Sequence, residues 1–80
     1  MTKYFFDFRS GDVCSLDEEG QELPDAETAH DEAVRALADA LRDVVLQGSA
    51  DQHAAVKVRD DLGLVLEVTA VLGSRILRKQ

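Results

Sequence analysis

Two histidines, a run of carboxylates and one thiol are the side chains of this 80-residue chain with the most chemical reach. His30 lies near Glu27 and Asp31, and His53 precedes a strand-like stretch. Two imidazoles and a carboxylate can hold zinc. The chain has no HExxH pattern and no cysteine at ligand spacing from either histidine. The expectation is therefore two solvated imidazoles beside acidic groups and no metal. Asp17-Glu18-Glu19, with Glu22 and Asp25, invites a calcium loop. Such a loop alternates its oxygen ligands and ends in a bidentate Glu. Here the carboxylates are consecutive and Gly20 falls at the wrong step, so a solvated turn leading into a helix cap is expected. Cys14 has no histidine near it in sequence and reads as a small apolar filler. Ser10, Ser15, Ser49 and Ser74 stand in no nucleophile-elbow pattern, and the isolated glycines form no phosphate-cradling loop. The residues point to a protein that is not an enzyme and carries no cofactor.

The charge is uneven. Residues 1–51 carry four basic and thirteen acidic side chains, whereas residues 52–80 carry five and three. The acidic part speaks against direct nucleic-acid binding, which needs basic charge to displace counterions. Arg75, Arg78 and Lys79 form a small basic tip, read as a solubilising tail. With one cysteine no internal disulfide is possible, which suits a reducing compartment. No apolar run approaches a membrane span, and Met1-Thr2-Lys3 leads straight into a strand pattern without an apolar leader. A cytoplasmic protein with no membrane contact is expected. A compact chain of 8.8 kDa exposes about 4,800 Å² when folded. So small a core leaves room for extra burial in a dimer.

The elements that would position these groups follow from periodicity. All four aromatic residues fall within Tyr4–Phe8. Lys3–Arg9 reads as a strand with Tyr4, Phe6 and Phe8 on the core face and Phe5, Asp7 and Arg9 on the other. Ser10-Gly11-Asp12 is a turn signal, and Val13–Asp17 completes a hairpin. Asp25 caps a helix running from Ala26 to Gln47 and stopping at Gly48. Its apolar stripe begins almost entirely in alanine, which leaves space for the bulky strand aromatics. After a polar loop at Ser49–Gln52, Ala54–Asp60 and Leu64–Thr69 form a second hairpin around Asp60-Asp61-Leu62-Gly63. Leu64, Leu66 and Val68 should share one face of the last strand. If the first and third strands are neighbours, Asp7 and Arg9 meet Lys57 and Arg59 in an ion-pair ladder.

The predicted fold is α+β over one domain, residues 1–80. Its order is ββαββ, with one long helix on a small antiparallel sheet and a short C-terminal helical turn within Ala70–Leu77. A helix of that length should overhang strands of six residues. The apolar overhang and tail, Val44, Val45, Leu46, Val71, Leu72, Ile76 and Leu77, form the candidate self-association surface, and the other face of the sheet, with Phe5, Ala55 and Val65 among charges, is the competing candidate.

Three blocks carry a family resemblance. They are Tyr4-Phe5-Phe6-Asp7-Phe8-Arg9-x-Gly11-Asp12, Asp17-Glu18-Glu19-Gly20-x-Glu22-Leu23-Pro24-Asp25, and Val58-Arg59-Asp60-Asp61-x-Gly63-x-Val65-Leu66. Together with the alanine-rich helix between the last two, they resemble a family of short proteins of unknown function. Its members occur mostly in alphaproteobacteria and are often multiplied within one genome. The resemblance reaches to about Val68 and implies a small intracellular bacterial protein. It supplies no activity and no catalytic residue. The functional expectation is a non-enzymatic protein-interaction module acting as a homodimer, with a further protein partner unknown. The alternative is an acidic, antitoxin-like or nucleic-acid-mimicking regulator of a basic partner that itself binds nucleic acid.

Overall fold

A computed structural model describes residues 1–46, 52–73 and 75–78. The aromatic run forms β1 (Thr2–Ser10), and a turn at Gly11–Asp12 returns the chain as β2 (Val13–Ser15). A third strand, β3 (Gln21–Leu23), precedes α1 (Ala26–Leu46). The second hairpin is β4 (Gln52–Asp60) and β5 (Gly63–Leu72). All pairings are antiparallel, in the order β2-β1-β4-β5, with β3 also paired to β1.

The α+β class and the single helix on an antiparallel sheet are as expected. The ββαββ order gains one strand. Gln21–Leu23 was expected to lie in loop and helix approach, but it pairs with Thr2–Tyr4. β2 and β3 together act as one interrupted strand along β1, opposite Phe8–Ser10 and Thr2–Tyr4. The C-terminal helical turn is not formed. Ala70, Val71 and Leu72 instead finish β5, opposite Ala54, His53 and Gln52. The cause is a β4 that starts earlier than the polar loop suggested, so β5 keeps a strand partner as far as Leu72. The described residues after Leu72 contain no helix. The expected helix stop at Gln47-Gly48 and most of the following loop lie outside the described residues.

The helix starts as its sequence dictates. Asp25 Oδ1 accepts the Thr28 N–H at 2.8 Å and the Thr28 hydroxyl at 2.7 Å. This satisfies one of the free donors of the first turn. Twenty-one residues give α1 a length of about 31 Å, and the ten residues of β5 span about 33 Å. The helix therefore matches the sheet, and the expected overhang is absent because the strands are longer than six residues.

The core comprises Tyr4, Leu23, Ala29, Ala33, Leu37, Ala54, Val56 and Val58. Ala29 and Ala33 let α1 settle closely over β4 and β5. Tyr4 is buried in this cluster, as the aromatic–alanine pairing requires. Phe6 and Phe8 are only half-buried, because the helix seats over β4 and β5 rather than over β1. On the other flank Leu66, Val68 and Ala70 are likewise packed against the core yet incompletely covered. A register shift at Val58/Arg59 sets Val58 opposite Leu66 but Arg59 opposite Leu64. Leu64 therefore leaves the face it was expected to share with Leu66 and Val68.

Candidate functional site

The helix-free face of the sheet carries a polar knot. Between the stretches of β1 paired to β3 and to β2, the edge of β1 away from β4 has no strand partner. Asp17 fills that gap. Its Oδ2 accepts the Phe6 N–H at 3.1 Å, and its Oδ1 accepts the Glu19 and Gly20 N–H groups, each at 3.1 Å. Its own N–H donates to Asp7 Oδ1 at 2.9 Å. From β4, Arg59 donates through Nε to Asp7 Oδ2 at 2.8 Å and through Nη2 to the Asp17 carbonyl at 2.8 Å. The guanidinium lies 4.5 Å from the centre of the Phe5 ring, a cation–π distance. Gly20 completes the knot. It has φ +73°, and a Cβ built there would sit 2.9 Å from the Phe5 ring.

The electrostatics match this geometry. Burial pushes the Asp7 carboxyl up, but the hydrogen bonds from Arg59 and the Asp17 N–H outweigh it and hold Asp7 below its ordinary value. Burial likewise raises Asp17, and the N–H groups of Phe6, Gly20 and Glu19 overcome that and lower it. Every polar group of the knot is committed to another. It is built to fix the loop across β1, and it presents no nucleophile or free base.

The acidic run is thus only partly the solvated turn expected. Glu18 and Glu19 are exposed, while Asp17 is a strand surrogate. The ion-pair ladder forms as the diagonal Asp7–Arg59 pair, and Lys57 approaches Glu67 at 3.9 Å. Cys14 is exposed and opposite Arg9, so it fills no apolar space. His30 is on the exposed helix surface, 3.6 Å from Asp31. His53 lines an open groove of about 510 Å³ on the sheet with Arg9, Asp12, Lys57, Glu67 and Thr69. Among the described residues no three metal-ligating side chains converge, and no helix is long and apolar enough to cross a membrane.

The apolar surface is the other distinctive region. Five residues separate the end of α1 from the start of β4, and β5 ends opposite that start. The structure therefore brings Val45 and Leu46 to the same end of the sheet as Val71 and Leu72. Val45, Leu46 and Val71 are exposed and Leu72 is half-buried. Ile76 and Leu77 are exposed in non-helical chain beyond the sheet, and the Val44 side chain lies outside the described residues. Apart from Val65, which belongs to the competing candidate face, sequence reasoning missed the rest of this surface. Leu62 in the turn before β5, Leu64 and Val65 at its start and Val34 on the helix are exposed too. The signal was present as the run Gly63–Leu72, in which Glu67 is the only charge.

No curated protein and no solved structure is significantly similar to the chain. The family model described as Domain of unknown function (DUF6894) matches residues 3–71, which span β1 through Val71 of β5 and include the whole Asp7–Asp17–Arg59 knot. The chain belongs to that family.

Proposed function

We propose that the protein is a non-enzymatic interaction module that works as a homodimer. The observation that carries this reading is excess surface. The chain exposes 6003 Å², about 1,200 Å² more than a compact protein of its mass. A standard interface removes about 800 Å² from each partner. Much of the exposed apolar surface comes from the far side of β5 and from the shared end of α1 and β5. The absence of an unpaired reactive group from the polar knot supports binding over catalysis. The exposed Glu18, Glu19 and Glu22 on the opposite edge leave an acidic border for a basic partner, which is the chemistry the regulator alternative needs.

Light scattering coupled to size exclusion tests the reading. The expected species has twice the 8.8 kDa chain mass at micromolar concentration. A strict monomer up to the highest soluble concentration removes the homodimer.

A further inference from the structure

The two edges of the sheet differ sharply. The β2–β3 edge is short, broken at residues 16–20 and flanked by Asp12, Glu18, Glu19 and Glu22. Those are the devices by which sheets avoid pairing with other chains. Apart from the extra residue at Val65, the β5 edge has none of them. It is ten residues long, contains no proline or lysine and carries one charge, Glu67. Among the described residues β5 pairs only with β4.

From this asymmetry we infer that the occupant of the β5 edge is β5 of a second copy, paired antiparallel about a two-fold axis at Val68. This deepens the homodimer reading and rests on it. The register follows from the residues. Past the register shift the regular stretch of β5 is Leu66–Leu72. Within it a centre at Val68 sets Val68 against its own symmetry mate, Glu67 against Thr69, and Leu66 against Ala70. A centre at Glu67 would oppose two carboxylates directly, and a centre at Thr69 would set the Glu67 carboxylate against the apolar Val71; Val68 alone sets it against a hydroxyl.

The helices fit the same arrangement. In an isologous pairing both copies of α1 lie on one face of the continuous sheet. A helix seated between β4 and β5 of each copy stands about 10 Å from its mate, given strand spacings near 4.8 Å. Packed helices lie about that far apart. One flank of α1 carries Val34, Ala38, Leu41 and Val45, and the other carries Glu32, Asp39 and Asp43. β3 and β4 are parallel, and the right-handed path expected for such a crossover turns the apolar flank toward β5. The second copy then covers Val34 and Val45, together with the half-buried Leu66, Val68 and Ala70.

Disulfide trapping tests both the edge and the register. Chains with Cys14→Ser receive Val68→Cys alone, or Glu67→Cys and Thr69→Cys on separate chains that are mixed. Directly opposed residues have Cα atoms about 5 Å apart, within disulfide range. The expected result is cross-linking at 68–68 and at 67–69 roughly tenfold faster than for a Ser15→Cys control on the far edge. Glu67 and Thr69 are exposed, so their variants keep the fold even if Val68→Cys does not. A dimer by light scattering that traps no faster at either pair than the control overturns the β5 edge and leaves the homodimer standing. A monomer overturns both.

Discussion

Removing the Asp17 carboxylate should destabilise the fold far more than an acidic loop residue ordinarily does. Asp17→Ala deletes the acceptor for three backbone N–H groups, those of Phe6, Glu19 and Gly20. Each such bond is worth about 1 kcal/mol net in a half-exposed setting, so the loss is about 2–3 kcal/mol. Stability for a chain of this size is about 4–12 kcal/mol, so the change is large. Asp17→Asn keeps one acceptor oxygen and should cost about half as much. The assay is urea unfolding at one fixed protein concentration, because dimerisation adds stability by mass action. The midpoint should fall while the slope stays constant. A cost below about 0.5 kcal/mol for Asp17→Ala, the size of an ordinary surface substitution, would refute the claim that this side chain replaces a strand partner.

Acid should act through the same knot. Asp7 and Asp17 are held below the ordinary value of 3.8 when folded, so the unfolded chain takes up their protons first as pH falls. Their contribution is complete above that value and drains away as pH drops through the lower folded values; urea midpoints taken from neutral to strongly acid pH should show this, with a shallower fall in Asp17→Asn. Gly20→Ala must place a Cβ at positive φ and against the Phe5 ring, and should cost at least about 1–2 kcal/mol in the same assay. Ala33→Leu adds volume at a fully buried helix position and should cost about 1–3 kcal/mol, read as a lower thermal midpoint.

Much of the fold is legible in the sequence because local chemistry and periodicity agree. Asp25 with Thr28 marks the helix start, and alternation marks β1 and β4. The positive φ of Gly11 and Gly63 is what their turns demand. The misses have physical causes. Gln21–Leu23 has no strand-like composition, and only its alignment with Thr2–Tyr4 makes it β3. Val71 and Leu72 fit a helix face as well as a strand, and the early start of β4 decides between them. Asp17 looks like its acidic neighbours, and its role exists only because the first two strand pairings leave a gap over Phe6. Leu64 changes face because the register slips by one residue, which spacing within one strand cannot reveal. The exposed apolar residues at the C-terminal end, Val71, Ile76 and Leu77, were legible from apolar content alone. The β5 edge emerges only once the strand order shows which strand lacks a neighbour.

The most direct test of the self-pairing account is amide hydrogen exchange along Leu66–Ala70 as a function of protein concentration. In an isolated chain the N–H groups of β5 that point away from β4 face solvent. The account predicts that they become protected as the species of twice the chain mass forms, with Val68 at the centre of the protected stretch. Exchange that stays fast there in a sample shown to be dimeric would contradict it.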